Sequence, residues 1–179
     1  AGAGRISART VDGNIHEAKE VIMDDGSDWC VLVAPTIAAK PIGLAPQEGI
    51  AVGMPVYSIA YPLAPILQSI SPVAGAGNLA AVQGLNGDPK HMQITVPINP
   101  GSSGSPVLDE YGNWIGIASH RLSDMYSLGA TGSIPQGVNF CVKATLVSEL
   151  IRSTNGPQIP QGVCEEKLSL SDAVAELSP

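Results

Sequence analysis

The sequence predicts an all-β fold, either a barrel or a sandwich, that ends in a helix. Glycine and proline supply 20 and 15 of the 179 residues, and they separate short apolar runs that are rich in Val and Ile. Runs of this kind are typical of strands joined by turns. A clear helical period is found only near the C-terminus, so strands do not alternate with helices as they do in a parallel α/β protein.

Three of the predicted strands lie in the first third of the chain, at residues 5–10, 15–23 and 29–34. The first two are separated by Asp-Gly-Asn at 12–14, which is a hairpin signal. An Asp-Asp-Gly turn at 24–26 precedes the third. The stretch from 35 to 54 is rich in loop-forming residues, so we expect no long element there.

The other predicted strands are also short, and they lie at residues 56–60, 69–74, 79–83, 92–96, 107–108, 114–119 and 138–142. A turn at 86–89 separates two of them, and a turn at 110–113 joins 107–108 to 114–119 as a hairpin. Residues 144–152 then show the spacing of an amphipathic helix. A second short helix is predicted at 168–177, after a connector rich in Pro and Gly.

Composition excludes several classes of function. The net charge is −7, from 9 basic and 16 acidic residues, which argues against binding to a phosphate backbone. One Phe, four Tyr and two Trp are too few for a platform on which nucleic-acid bases stack. No apolar run approaches the length of a membrane span. We therefore expect neither nucleic acid nor a membrane-spanning segment.

The cysteines give no framework for disulfides or metal. Cys30, Cys141 and Cys164 are an odd number at wide spacing, which leaves one bridge open. No Cys/His cluster has the spacing of a zinc site, and no cofactor is expected. The N-terminus has neither a basic flank nor an apolar core, so it is not a signal peptide. It also lacks an initiator Met, and we expect the true start to lie upstream.

The most informative segment is residues 98–107, which read INPGSSGSPV. Gly101 and Gly104 permit a turn whose backbone N–H groups point at one spot, where they can hold a developing oxyanion. Ser103 would project its hydroxyl into that spot as a nucleophile. The alternative is a flexible Gly/Ser linker. The catalytic loop is favoured because predicted strands lie directly on either side of the segment and because Pro106 ends it.

This segment resembles a known family. Residues 101–106 are similar to the Gly-x-Ser-Gly-[Gly/Ser]-Pro motif of chymotrypsin-fold serine proteases, and residues 98–100 resemble the bacterial HtrA/Deg-like branch. Residues 108–118 and 137–151 resemble that family's hairpin, last strand and terminal helix. Residues 11–13 and 24–33 resemble its Asp-Gly turn and the strand after its Asp. The resemblance covers about residues 1–152.

The resemblance implies an all-β, chymotrypsin-like double β-barrel with a C-terminal helix, the first barrel being incomplete in this chain. It implies a protease domain at residues 1–155, with the rest of the first barrel at about 1–70 and the second barrel and helix at about 71–155. Residues 156–179 would form a tail. The implied activity is that of a serine endopeptidase on polypeptides, with Ser103 as nucleophile and the N–H groups of Gly101 and Ser103 as oxyanion hole.

The acid of such a triad is an Asp that fixes the tautomer of a His. The resemblance assigns this role to Asp28, directly before the strand at 29–34. Spacing alone does not separate Asp28 from Asp24 and Asp25, which are interpreted as turn residues, and an Asp before a strand can also simply cap a turn. Ser119 falls where the family often has a hydroxyl near the buried Asp.

The general base is harder to find. Chain order in this family is His, Asp, Ser, so only His16 precedes Asp28, but its place within a strand predicts a surface residue. His91 follows a turn and is also predicted at the surface. We therefore expect the base upstream of Ala1, in an N-terminally incomplete protease domain. The alternative is a pseudoprotease, a catalytically silent module that binds peptides or proteins.

The same resemblance implies a substrate pocket without charge. Its lining residues would be Pro97, Ala118, Ser119, His120 and Val138. Because Pro97, Ala118 and Val138 are uncharged, we expect substrates with a small or medium apolar residue before the scissile bond. Only the resemblance bears on location, and it implies the cell envelope or secretion. Whether the protein forms an oligomer is left open.

Overall fold

The computed structural model describes residues 5–24, 29–62, 72–121, 137–163 and 165–177. Within those ranges it contains nine strands, two α-helices and two short 3₁₀ helices, Gln47–Gly49 and Leu85–Gly87. The strands form one small sheet and one closed barrel, and a C-terminal arm follows them. The prediction of an all-β fold with a terminal helix is confirmed. None of the helices in these ranges is long and apolar enough to cross a membrane.

The small sheet is antiparallel and has the order β1-β2-β3. Its strands are β1 (Ile6–Arg9), β2 (Ile15–Asp24) and β3 (Trp29–Val33). The predicted Asp-Gly-Asn turn joins β1 to β2, where Thr10 N–H donates to the Asn14 carbonyl at 3.0 Å. The register of β2 against β3 shifts between Glu20 and Ile22.

The barrel closes in the order β4-β5-β6-β9-β8-β7, with antiparallel neighbours throughout. Its strands are β4 (Pro55–Ala60), β5 (Val73–Ala81), β6 (His91–Ile94), β7 (Pro106–Leu108), β8 (Trp114–Arg121) and β9 (Asn139–Lys143). Alternate side chains point inward and form a core that is rich in branched aliphatic residues. Fully buried members of this core include Val56, Leu79, Ile94, Val107, Ile115 and Cys141.

One strand prediction was wrong in detail. The sequence predicts separate strands at 69–74 and 79–83, whereas β5 runs unbroken over Val73–Ala81; residues 69–71 lie outside the described part. The reason is that Gly77 is a packing residue and does not mark a turn. A Cβ there would lie 2.5 Å from the Val96 amide nitrogen, so the glycine lets the neighbouring segment approach closely.

Helix α1 (Ala144–Ser153) follows β9 directly and shares an apolar cluster with the small sheet. Trp29 of β3 packs with Val142 of β9 and with Val147 and Ile151 of α1. Ile22, Val31 and Trp114 border the same cluster. Burial of these side chains holds the small sheet against the outside of the barrel, because removing apolar surface from water is the main favourable contribution to packing.

The C-terminal arm, residues 156–177, lies along the barrel and ends in helix α2 (Leu170–Leu177). Ser169 caps α2, because its hydroxyl accepts from the Asp172 amide at 3.2 Å and donates to the Asp172 carboxylate at 2.6 Å. The bond from the Ser169 hydroxyl to the Asp172 carboxylate is also the main cause of the lowered pKa of Asp172. Ala173 is fully buried. The domain boundaries at about 70 and at 155 stay predictions.

Candidate active site

The predicted nucleophile loop connects the core segment that follows β6 to the start of β7. It begins with a tight turn, in which the Ser102 amide donates to the Asn99 carbonyl at 2.8 Å. Gly101 and Gly104 have φ angles of 93° and 89°, in the left-handed region that favours glycine. The turn therefore forms because these two positions lack side chains, as the motif indicates.

Ser103 lies between the two glycines and is exposed. Its hydroxyl donates to the backbone carbonyl of Ser119 in β8 at 2.8 Å. The loop is fixed to the same strand by two further bonds, from the Gly104 amide to the Ala118 carbonyl at 2.8 Å and from the Ala118 amide to the Ser105 carbonyl at 2.9 Å. Ser103 is thus an accessible hydroxyl on a well-anchored turn.

The backbone amides of this turn fall into two groups. Those of Ser102, Gly104 and Ser105 donate to carbonyls of the loop or of β8. Those of Gly101 and Ser103 donate no hydrogen bond within the part of the chain that the structure describes. Unpaired amides beside an exposed hydroxyl are what an oxyanion hole requires, and these are the two amides that the sequence analysis proposed for it.

Two of the predicted pocket residues lie on segments outside the loop, Pro97 directly before it and Val138 directly before β9. Pro97 is exposed and Val138 is half-buried. The side-chain amide of Asn139, which follows Val138, donates to the carbonyl of Val96, which precedes Pro97, at 2.8 Å, so the two predicted pocket residues belong to joined segments. Contact of either residue with substrate stays a prediction.

The three pocket residues predicted on β8 differ in the burial of their side chains and in the backbone contacts that they make. Ala118 is only 2% exposed, and its side chain belongs to the barrel core, so it holds the loop through its backbone. Ser119 supplies the carbonyl that accepts from Ser103. His120 lies opposite Phe140 in the register of β8 with its neighbouring strand β9. The direction of its side chain lies outside what the structure describes.

Neither described histidine side chain contacts Ser103. His16 lies on β2, with Nδ1 2.8 Å from the Thr36 hydroxyl and Nε2 3.4 Å from the Thr10 hydroxyl. It is a half-buried strand residue bonded within its own part of the fold. Its place within a strand, as the sequence predicts, therefore does not bring it to Ser103 as a base.

His91 was predicted at the surface, and that was wrong, because only 13% of its side chain is exposed. Its Nδ1 lies 2.6 Å from the Asp88 carboxylate. The Lys90 amide, and then His91, hold the pKa of Asp88 below its usual value by hydrogen bonding to the carboxylate. The turn at 84–88 folds this pair together, which the sequence pattern alone did not indicate.

The predicted acid, Asp28, lies outside the described residues, as does Asp25. What the structure gives is its neighbour: β3 begins at Trp29, so Asp28 directly precedes a strand whose first residue is buried. Asp24, the other alternative, is the last residue of β2. The assignment of the acid to Asp28 stays a prediction.

Two serines that the sequence did not indicate as site residues, Ser58 and Ser105, support the nucleophile loop through hydrogen bonds. Ser58 on β4 is buried, and its hydroxyl lies 3.0 Å from that of Ser105. The Ser105 hydroxyl in turn bonds the Ser102 carbonyl at 2.6 Å. Ser105 lay inside the recognised motif, but nothing in the sequence indicated Ser58, which is 47 residues away.

No group of three or more His, Cys, Asp or Glu residues that could hold a metal ion occurs among the described residues. One cavity, of about 540 Å³, lies away from Ser103, between the polar face of α1 and the arm. Its lining includes Thr145, Glu149, Arg152 and Gln158.

Comparisons with known proteins show the family to which the chain is similar. The family described as the trypsin-like peptidase domain matches residues 1–117. The uncharacterized protein y4bJ of Sinorhizobium fredii is 42% identical over 83 residues, which are 46% of this chain and 13% of that protein. The human peroxisomal leader peptide-processing protease is 30% identical over 99 residues, which are 55% of this chain and 17% of that protein.

Solved structures give the same picture. The HtrA-type protease AlgW in complex with a decapeptide has a TM-score of 0.68 and 25% identity, over 86% of this chain and 45% of that chain. A variant of AlgW with a tripeptide has the same TM-score and identity, over 86% of this chain and 48% of that chain. The chain thus spans less than half the length of each of these relatives, and its fold is that of a chymotrypsin-like, HtrA-type protease domain.

Proposed function

The chain belongs to the trypsin-like peptidase family, and from that premise we propose that it is a serine endopeptidase whose nucleophile is Ser103. One observation carries the proposal. An exposed serine hydroxyl lies on a glycine-framed turn on which its own amide and that of Gly101 make no hydrogen bond within the described residues. An anchored turn of this kind can supply a nucleophile and two oxyanion donors, which supports the proposal.

In the proposed reaction, the Ser103 oxygen attacks the scissile carbonyl carbon while its proton passes to the general base. The carbonyl oxygen becomes an oxyanion and accepts from the amides of Gly101 and Ser103. The base returns the proton to the leaving amine, and water then releases the acyl group by the same steps. Asp28 orients the base and stabilises its charged form.

The proposal takes its base from a histidine other than His16 and His91. Both of these rings are bonded elsewhere, to threonine hydroxyls and to Asp88 respectively. In this family the base precedes the acid in the chain, so we place it before residue 1 in the full protein. In that arrangement the ring would stand beside Ser103 and take over the hydroxyl bond that now goes to Ser119.

The proposed substrates are polypeptides with a small or medium apolar residue before the scissile bond. Pro97 and Val138 are uncharged and belong to segments that the Asn139–Val96 bond joins. An uncharged pocket gives a Lys, Arg, Asp or Glu side chain no ionic partner, so burying such a residue is costly. The peptides in the two AlgW structures are consistent with a peptide-binding cleft in this fold.

A second candidate is a catalytically silent module that binds peptides. It is favoured by the state of Ser103, whose hydroxyl donates to the Ser119 carbonyl and to no described histidine. Such a protein would keep the cleft and lack the base. The two candidates differ in whether the bound peptide is cut.

The test is peptide cleavage by the full-length protein. Wild type, Ser103→Ala and Ser153→Ala are incubated with a peptide library, and new termini are identified by mass spectrometry. Ser153 is a matched control because its exposed hydroxyl also donates to a backbone carbonyl, that of Leu150, at 2.8 Å. We expect cleavage after apolar residues by wild type and Ser153→Ala, and none by Ser103→Ala. Peptide binding without new termini in wild type would instead support the silent module.

A further inference from the structure

We propose that Ser105 and Ser58 are positioning residues that hold the oxyanion-binding amide of Ser103 in place. The inference rests on the proposed function of the same loop, and it adds two residues that touch neither substrate nor the nucleophilic oxygen. It is carried by the hydroxyl pair below the nucleophile turn, where the Ser58 and Ser105 oxygens are 3.0 Å apart.

The direction of each bond in this pair follows from the number of protons. A hydroxyl has one proton to donate and lone pairs to accept with. The Ser105 hydroxyl uses its proton on the Ser102 carbonyl, which can only accept, at 2.6 Å. Ser58 must then be the donor in the bond between the two hydroxyls. The chain of bonds runs in one direction, from Ser58 through Ser105 to the Ser102 carbonyl.

The end of this chain of bonds is the peptide group that contains the Ser103 amide. The Ser102 carbonyl and the Ser103 N–H belong to one planar trans peptide, so they point in opposite directions and turn together. The Ser102 carbonyl accepts from the Ser105 amide at 3.1 Å as well as from the Ser105 hydroxyl. The amide and the hydroxyl of Ser105 therefore fix the direction of the Ser102 carbonyl. They thereby point the Ser103 N–H the opposite way, because both groups belong to the same peptide.

Burial makes this arrangement rigid. Ser102 is 4% exposed and Ser58 is 6% exposed, so water has little access to these groups. A hydrogen bond in such a place is costly to leave unmade, because the freed group finds no water in exchange. Ser58 also lies on a paired strand, with its backbone in register with Val107 of β7 and Gly75 of β5. The donor at the base of the chain is therefore held by the barrel itself.

The consequence for catalysis is preorganisation. An oxyanion donor acts only if it is already aimed at the position where charge develops, and a peptide group free to rotate has to be ordered during the reaction. Without the Ser105 hydroxyl, the Ser102–Ser103 peptide would keep one donor instead of two. We therefore expect the loss to appear in the chemical step and hardly in substrate binding.

The experiment measures how fast a fluorophosphonate labels the full-length protein. Dependence of the rate on reagent concentration separates reagent affinity from the maximal rate of phosphonylation. We expect Ser105→Ala to lower the maximal rate about tenfold with nearly unchanged affinity, because it loosens an oxyanion donor. Ser105→Thr keeps the hydroxyl and should retain most of the rate. Ser153→Ala is the control with an unrelated serine.

Ser58→Ala tests the relay between the two residues. We expect a smaller loss of maximal rate than for Ser105→Ala, and no further loss when both are changed, because Ser58 acts only through Ser105. All variants are compared at a temperature at which their thermal unfolding curves show them folded. The ³¹P resonance of the phosphonyl adduct, whose oxygen accepts from the Ser103 amide, should shift in Ser105→Ala and stay in place in Ser153→Ala.

Equal maximal rates for wild type and Ser105→Ala, with labelling at Ser103 in both, would overturn the inference and leave the proposed function standing. The same holds if Ser58→Ala lowers the rate further in the Ser105→Ala background. Wild type that is not labelled, or labelling that survives Ser103→Ala, would instead overturn the proposed function, and the positioning role with it.

Discussion

At the scale of single residues, the nucleophile turn depends on backbone conformations that side chains disfavour. Gly104 has a φ of 89°, yet a Cβ built there would meet no atom within 4 Å. Any cost of a side chain at this position therefore comes from the backbone and not from crowding. The sequence motif was sufficient to predict this turn, because the turn depends only on glycine at positions 101 and 104.

Gly104→Ala is expected to lower the free energy of unfolding by about 1–2 kcal/mol, the cost of a left-handed conformation for a residue with a Cβ. Gly49→Ala is the matched control, because Gly49 also has open space around it and lacks the positive φ. There the substitution should be neutral or slightly stabilising. Urea unfolding of both variants checks this, and equal losses in the two would contradict it.

Cys141 and Cys30 should differ sharply in reactivity. Cys141 is buried in the barrel core, and burial raises the pKa of its thiol from 9.0 to about 12, whereas Cys30 is exposed. Since the thiolate is the reactive form, we expect iodoacetamide at pH 8 to modify Cys30 in the folded protein and Cys141 only after unfolding. Peptide mapping assigns the adducts. Early modification of Cys141 would contradict the barrel packing.

The same raised pKa predicts how stability depends on pH. The unfolded thiol loses its proton from about pH 9, while the folded one keeps it to about pH 12. The unfolded state therefore binds fewer protons in this interval, and the contribution of Cys141 to stability falls as the pH rises. Cys141→Ala should have a flatter stability profile than wild type between pH 8.5 and pH 10, within the range accessible to urea unfolding.

At the scale of elements, the sequence predicted what local patterns determine and missed what distant contacts determine. The β1–β2 hairpin and α1 were recognised because their turn residues and helical spacing are local. Strand β5 was divided in two because its Ala-Gly-Ala-Gly run resembles a turn. The glycines serve the approach of residues 95–97, which only the closed barrel brings there.

The candidate site shows the same division. The sequence predicted the turn that carries Ser103, because both of its glycines lie within two residues of that serine. It did not predict the bond between Ser58 and Ser105, because that bond requires the pairing of β4 with β7. The register between two strands that are distant in the chain cannot be derived from the sequence of either strand alone. The sequence also did not predict the partial burial of the His91 side chain.

One buried side chain, that of Asn113, contributes three of the bonds around the C-terminal arm. The Asn113 amide donates to the Val163 carbonyl at 2.9 Å, and its oxygen accepts from the Val163 N–H at 3.1 Å. Asn113 also donates to the Asp109 carboxylate at 3.2 Å. By contrast, the ion pair of Lys167 with Glu110, 2.8 Å long, lies at an exposed lysine. The neutral amide should therefore matter more than the charges.

Asn113→Ala is expected to cost about 2–4 kcal/mol of unfolding free energy, because it leaves buried backbone and carboxylate groups without partners. Proteolysis within the arm should become faster in the same variant. Lys167→Ala removes a solvent-screened pair and should change neither measurement beyond error. An arm that is released as readily in Lys167→Ala as in Asn113→Ala would contradict this account.

At the scale of the whole molecule, the small sheet and the barrel are joined through the cluster around Trp29. Trp29 is buried against β9 and α1, and its indole N–H has no hydrogen-bond partner among the described residues. Its contribution is therefore one of apolar contact and filled volume. The cluster joins the strand that follows Asp28 to the barrel that carries Ser103.

Substitutions at Trp29 should separate volume from polarity. Trp29→Ala is expected to cost about 3–5 kcal/mol by leaving a cavity between sheet and barrel. Trp29→Phe should cost less than about 1.5 kcal/mol, because it keeps an aromatic ring and removes an unpaired buried N–H. Calorimetric unfolding measures both. Equal losses in the two variants would show that the N–H has a partner essential to the fold.

The central claim, that Ser103 is the nucleophile of a trypsin-like peptidase, is tested most directly by locating a covalent adduct. The full-length protein is treated with a fluorophosphonate and digested, and the modified residue is identified by tandem mass spectrometry. We expect one phosphonyl group on Ser103 in folded wild type and in folded Ser153→Ala, and none when the protein is unfolded before the reagent is added. An adduct on another serine, or no adduct on the folded wild-type protein, would contradict it.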